Sequence, residues 1–197
     1  MPAALPALSD LQSYVSDATS PADNVELSAS LAAAKPWMAQ HCKRTFVVAG
    51  TATQRRYVPT TDDVVRIHDC TTITLVTNAG VTVAPSAYQT EPLNNIDLAG
   101  VARPIEQIRL INGSSWTFGS SNSKEATVLV TATWGWPTIP DDVFQACLIL
   151  AADICSNRDK RNGIVSFTDF AGIRARENPQ VLTLLAAYRR AERHGIA

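Results

Sequence analysis

Charged side chains are scarce in this 197-residue chain: Asp, Glu, Lys and Arg make up 18% of it, against roughly 25% in ordinary soluble domains. The 17 basic and 18 acidic residues nearly cancel, leaving a net charge of −1. Such a balance argues against broad, non-specific affinity for nucleic acid, which comes from Lys and Arg neutralising phosphates. The hydrophobic fraction, 46%, is enough to bury a proper core. The shortage of charge therefore implies that part of the surface meets other protein chains rather than water.

Other signals are missing too. The four cysteines, Cys42, Cys70, Cys147 and Cys155, match no zinc or redox spacing. The N-terminus has no basic start followed by an apolar stretch, and no segment offers ~18 uninterrupted apolar residues, so neither secretion nor membrane spanning is expected. Reduced, cytoplasmic synthesis is the default. The nine glycines form neither a phosphate cradle nor a dinucleotide fingerprint, and neither a serine elbow nor an H-E-x-x-H pair occurs. No catalytic, cofactor or metal residue is assigned.

What is present is a change of hydrophobic period along the chain. Ser9-Asp10 can cap a short helix to about Ser16. Ser20-Pro21-Ala22-Asp23 is a helix start, with Ser as cap and Pro in the first turn. Leu27, Leu31, Ala34 and Met38 then recur at helical spacing, and Pro36 predicts a kink or break near Lys35. From Phe46 the period becomes that of strands: 46–48, 55–58, 64–68, 73–77, 81–84, 105–111 and 127–134 are rich in Val, Ile and Thr. Asn78-Ala79-Gly80 marks a tight hairpin.

Thr133-Trp134-Gly135-Trp136-Pro137-Thr138-Ile139-Pro140 ends the strand-rich part. Pro140 opens a helix to about Asn157, with Val143, Cys147, Leu150 and Ile154 on one face and Phe144, Leu148, Ala151 and Cys155 on the adjacent one. A helix apolar over two faces is buried on two sides. Asn178-Pro179 starts a last helix with Val181, Leu184, Leu185 and Tyr188 in one stripe. The expected fold is α+β: a helical bundle formed by the N- and C-terminal helices, residues 1–44 and 135–197, with an antiparallel β-sheet or small barrel inserted at 45–134.

Several constellations invite chemistry, and each has a plainer reading. His68-Asp69-Cys70, with His41-Cys42 upstream, combines imidazole, carboxylate and thiol. In a regular strand His68 and Cys70 share a face and Asp69 takes the other, so they read as strand-end and core residues. Asp62-Asp63 and Asp141-Asp142 sit where acids solvate a turn or face a helix N-terminus. On a strand, Arg55 and Arg56 alternate faces. Trp134 and Trp136 offer a stacking platform for a base or sugar, but no basic residue adjoins them in sequence, and such platforms normally include one. They read instead as anchors for the end of the sheet. The arginines between 172 and 193, five against two glutamates, are either a solvated helix end or a docking peptide for an acidic surface.

One combination carries a resemblance. Trp134-Gly135-Trp136, the spaced Pro140, the buried helix to Asn157 and the basic turn Arg158-Asp159-Lys160-Arg161 come first. The loop from Gly163 to Gly172 with Phe167 and Phe170 follows, then Arg174, Asn178-Pro179-Gln180-Val181 and Leu184-Leu185-Ala186-Ala187-Tyr188-Arg189-Arg190. In that order they resemble the head-to-tail connector, or adaptor, proteins of long-tailed bacteriophages, those of actinobacterial phages in particular. His41-Cys42-Lys43-Arg44-Thr45-Phe46 is similar to the passage from that family's second helix into its inserted sheet, while Pro36 departs from the pattern.

The resemblance implies a structural virion protein and no enzyme. It implies a homo-oligomeric ring, usually a 12-mer, beneath the portal protein, extending the DNA channel and presenting a surface to a head–tail stopper or tail terminator protein. Double-stranded DNA passes without sequence specificity, and near-neutral charge suits such a tunnel. The location is the virion neck, reached from the host cytoplasm during assembly, with no membrane. Portal docking falls to Tyr188, Arg189, Arg190 and Arg193, subunit contacts to Phe144, Leu148, Ala151 and Cys155, and the structural anchor to Trp134, Gly135, Trp136 and Pro140. The alternative is a β-domain binding module for carbohydrate or a host receptor, using the loops at 112–124 and the tryptophans, Trp116 among them. A nucleophilic enzyme built on His68 and Cys70 is a third reading.

Overall fold

The computed structural model describes residues 4–15, 21–47, 50–96, 100, 102–119, 125–159 and 178–190. Among them are four α-helices and a six-stranded antiparallel sheet, a mixed α+β composition. The chain divides into two compact units, Met1–Arg44 with Ile139–Ala197, and Thr45–Thr138. The division leaves Trp134, Gly135 and Trp136 in the β unit and Pro140 in the helical one.

In the helical unit, α1 (Leu8–Tyr14) and α2 (Pro21–Cys42) precede α3 (Asp141–Asp159) and α4 (Pro179–Ala186). Helix α2 packs on α3, α3 on α4, and α1 touches both α2 and α3. The first helix starts earlier than Ser9: Ala7 precedes it, and the Asp10 carboxylate accepts the Ala7 N–H at 2.7 Å. Ser16 and Ser20, expected to end one helix and cap the next, lie outside the described residues.

Helix α2 shows why a proline need not end a helix. Pro36 stands inside it: of the kink or break expected near Lys35, the break does not occur. Leu27, Leu31, Ala34, Met38 and Cys42 form its buried stripe, while Pro36 and Ala32 are exposed. The carbonyl deprived of its partner belongs to Ala32, four residues back, on the side where water can reach it. The packed stripe on the opposite side keeps the helix going.

Helix α3 is buried at every position from Ala146 to Ala151, as a helix apolar all round must be. Asn178 caps α4 by accepting the Gln180 N–H at 2.9 Å and donates to the Asp153 carboxylate at 2.6 Å. Val181 and Leu185 turn inward from α4.

The β unit is built around β2 (Val64–Asn78), a single 15-residue strand where two shorter runs were expected. The strand order is β1 (Thr53–Tyr57), β6 (Val128–Trp134), β2, β5 (Ile105–Leu110), β4 (Tyr88–Glu91), with β3 (Val81–Thr82) pairing β2 through a two-residue turn. Ala79 and Gly80 both take positive φ, 49° and 84°, which suits the right-handed twist of a hairpin. Strand β2 pairs β5 along its first half and β6 along its second; Cys70 stands opposite both Ile105 and Trp134.

Register shifts between Arg66 and Cys70, and again between Cys70 and Thr72, bend the strand at this crossing. Val65, Ile67, Cys70, Ile108, Val128, Val130, Ala132, Trp116 and Trp134 belong to one core. Val65 and Ile67 differ in parity from Cys70, so the shifts bring both sets into that core. Strand β4 was not foreseen: its four residues are all half-buried and supply no alternation. Phe46 and Val47, expected in a strand, lie outside one.

Trp116 is 3% exposed, and its indole N–H donates to the Asp63 carbonyl at 2.8 Å. Trp116→Ala is expected to destabilise the protein by about 3–5 kcal/mol, read from the denaturant midpoint. A loss below about 1 kcal/mol would remove Trp116 from the core.

Candidate functional site

The Trp-Gly-Trp segment is consumed inside the β unit. Trp136 is fully buried: its ring lies 5.4 Å from that of Phe46, its backbone N–H donates to the Val47 carbonyl at 3.0 Å, and its indole N–H reaches the Asp69 carboxylate at 3.1 Å. Between the indoles, Gly135 donates its N–H to the Asp69 carbonyl at 2.7 Å from a φ of 124°, which side-chain-bearing residues rarely adopt. The indole N–H of Trp134 donates to the Thr53 carbonyl at 2.8 Å. In the helical unit, the Pro140 carbonyl accepts the Phe144 N–H at 3.0 Å and opens α3.

Cations do adjoin these rings, contrary to what sequence proximity suggested. The Arg55 guanidinium sits 4.4 Å from the Trp134 ring centre, and that of Arg103 sits 5.9 Å from the Trp136 ring centre. Sheet pairing supplies Arg55 from β1, beside β6, a neighbour that reading the adjoining sequence could not find. The indoles at 116, 134 and 136 are at most 4% exposed, so none offers a free face for a sugar or base.

The His68–Cys70 pair does not form a nucleophilic site. His68 is exposed, and its Nδ1 lies 2.8 Å from the Tyr57 hydroxyl. Cys70 is fully buried; burial, reinforced by the Asp69 charge, pushes its thiol up to about 12. A neutral buried thiol is a poor nucleophile and metal ligand. Burial likewise pushes Cys42 and Cys147 up to about 11. Among the described residues no group of three His, Cys, Asp or Glu side chains could hold a metal ion. Asp63 meets Thr61 and Arg109, and Arg109 also reaches Glu91, so these acids serve a turn and a cross-strand ion network. Asp142, in the first turn of α3, accepts from the Tyr188 hydroxyl at 3.3 Å.

The C-terminal set divides. Tyr188 is buried, and its carbonyl accepts the Arg44 Nε–H at 2.7 Å; the Arg190 N–H donates to the Cys42 carbonyl at 3.0 Å. Arg189 is exposed and Arg190 half-buried. Arg193 lies outside the described residues, as do Phe167, Phe170 and Arg174. Burial, and secondarily the charge of Arg189, holds the His41 imidazole below its ordinary value of 6.5; the ring stacks on Trp37 with centroids 5.0 Å apart.

The α3 set divides as well: Leu148 and Ala151 are buried within the chain, while Phe144 and Cys155 are half-buried. Sequence reasoning passed over the outward face of α2. Val25, Ser28, Ala29, Ala32, Ala33 and Pro36 are all exposed there, and none is charged.

No protein-family model and no curated protein matches the sequence. Among solved structures, the fold is similar to a chain from the neck of an empty gene transfer agent (GTA) particle computed with C6 symmetry. That likeness has a TM-score of 0.58 at 16% identity, covering 98% of this chain and 92% of that one. A chain from the virion of a native GTA particle gives 0.52 at 17% identity, with the same coverage. At these identities the likeness establishes the fold.

Two measurements check the local chemistry. With a thiol reagent at neutral pH, Cys42, Cys70 and Cys147 are expected to stay unreacted in the native protein while Cys155 reacts; all four should react in denaturant. Rapid native labelling of Cys70 would contradict its burial. For His41, the folded pKa is lowered, so its contribution to stability is present above about 6.5 and lost as pH falls through the folded value. Its NMR titration midpoint should lie below 6.5 and rise in Arg189→Gln without reaching that value, since burial is the larger cause. No change in Arg189→Gln would mean that Arg189 is not beside the ring.

Proposed function

We propose that this chain is a structural component of the neck of a phage-like particle, a head-to-tail adaptor that forms a ring beneath the portal. The observation carrying the reading is the likeness, over 98% of this chain, to a chain of a GTA particle neck. Fold likeness alone does not fix a role. Here it falls on a chain whose scarce charge already implied protein partners, and whose Trp-Gly-Trp and Asn-Pro-Gln-Val segments resemble phage adaptors. Six-fold neck symmetry is compatible with six or twelve copies, and twelve is the number proposed.

In this reading the terminal helices make the ring's bundle, and the inserted β unit is carried on it. Leu148 and Ala151 hold α3 inside the subunit. Phe144 and Cys155, with the charge-free outward face of α2, meet neighbouring copies. Trp134, Gly135 and Trp136 close the β unit where the chain passes to Pro140 and α3. Arg189, Arg190 and Arg193 face the portal protein, and a head–tail stopper or tail terminator binds the opposite side. Double-stranded DNA crosses the ring with weak, sequence-independent contacts, because phosphate neutralisation strong enough to hold it would resist passage. The ring is assembled in the host cytoplasm and remains in the virion neck.

Purified chain, alone and mixed with portal particles of its own phage, tests this by light scattering and negative-stain microscopy. The expected result is a monomer or weak oligomer alone and a ring at the portal vertex in the mixture, lost in Ala32→Glu with helicity unchanged. Failure of the wild-type chain to bind portal particles at any ionic strength would overturn the proposal.

A further inference from the structure

The last carbonyls of a helix need partners from outside it, and at the end of α2 those partners fix an arginine. The Lys43 N–H bonds the Gln40 carbonyl at 3.3 Å and the Arg44 N–H bonds the Ala39 carbonyl at 3.0 Å, with Lys43 at a φ of 53°. This is the two-bond helix stop that normally places glycine at the left-handed position; here a lysine occupies it. The geometry determines where the Arg44 backbone points.

The Arg44 side chain, 9% exposed, donates its Nε–H to the Tyr188 carbonyl at 2.7 Å, across 144 positions of sequence. In return the Arg190 N–H donates to the Cys42 carbonyl at 3.0 Å. The two bonds run in opposite directions between Cys42–Arg44 and Tyr188–Arg190. The Tyr188 hydroxyl adds a third tie, to Asp142 in the first turn of α3. The segment after α4 is thus bound to the end of α2 and the start of α3.

We infer that Arg44 is the positioning residue of the C-terminal docking segment: it clasps Tyr188–Arg190 to the end of α2, so that the sequence beyond Arg190 starts from a fixed point. The inference rests on the docking role proposed above. It also changes that role, because Tyr188 becomes part of the clasp and contact with the partner begins at the exposed Arg189. A guanidinium is suited to this work, because a charge-assisted bond to a carbonyl in a poorly solvated place is stronger than a neutral one.

Hydrogen exchange in the full-length protein tests the clasp, and the rate of binding to portal particles tests its consequence. In the wild type, the Arg44 Nε–H should give a protected NMR resonance at neutral pH; free exchange with water there would overturn the clasp without any mutation. In Arg44→Met, exchange at the Arg190 amide should rise at least tenfold while Val65 and Val130, in the sheet, keep wild-type rates. The variant should also bind portal particles at least tenfold more slowly. Arg44→Lys, with charge but a different donor position, should recover part of both effects. Unchanged exchange at Arg190 in Arg44→Met overturns the clasp. Faster exchange with an unchanged binding rate overturns the positioning role. Wild-type chain that fails to bind portal particles, yet shows the protected Arg44 resonance, overturns the docking reading and leaves the clasp standing.

Discussion

A buried carboxylate holds the end of the sheet, and much of the β unit depends on it. Asp69 is 5% exposed, and its side chain accepts the Trp136 indole N–H while its backbone carbonyl accepts the Gly135 N–H. A charge taken out of water is tolerated only when polar partners surround it. Removing one partner costs far more than the net value of the bond. The next residue, Cys70, is where β2 changes from pairing β5 to pairing β6. Three strands and the segment leaving the sheet therefore meet within two residues. Phe46 and Val47, at the entrance to the unit, pack on and bond to Trp136, so entrance and exit are joined inside the unit. An insertion closed in this way can be carried by a helical unit without depending on it for its own core.

The helical unit uses a related device at its own chain ends. Arg44, the last residue before the insertion, and Tyr188–Arg190, after the last helix, are bonded to one another. The backbone leaves α2 for the β unit at the point where the C-terminal segment is tied down. In the proposed adaptor, a surface assembled there presents a defined end to a preformed partner. Such ordering is entropically expensive if it happens only at docking. Prior attachment of Tyr188–Arg190 reduces that cost.

Much of this was legible in the sequence where a single physical signal dominated. Leu27, Leu31, Ala34 and Met38 are buried at their helical spacing, and Asn78-Ala79-Gly80 turns a hairpin through positive φ at Ala79 and Gly80, a conformation that glycine favours and alanine does not. The α+β class followed from the change of period at Phe46 and again at Pro140. Errors arose where two signals competed. Pro36 argued for a kink or break, yet it stands on the solvent side, and packing on the opposite side keeps the helix from breaking. The polar residues between Arg66 and Thr72 made β2 read as two strands because register shifts interrupt its alternation. Long-range pairing hid the rest. Nothing adjoining Trp134 in sequence announces Arg55, and nothing in His41-Cys42-Lys43-Arg44 announces a bond to Tyr188. The exposed α2 face was missed for another reason: alanine and serine give no amphipathic contrast, so a surface poor in charge resembles a neutral one.

Fold likeness to neck chains, scarce charge, an uncharged helix face and chain segments tied together at one point are the features on which the adaptor proposal rests. The indoles at 116, 134 and 136 and three of the four thiols are buried and contribute packing. The most direct test is a symmetry-focused cryo-EM reconstruction of the neck in intact particles whose proteins include this chain. The account predicts a closed ring of copies between portal and tail, with the α2 face at the contact between subunits and the sequence after Arg190 against the portal. Density for the chain at the tail tip or on the capsid exterior would contradict it.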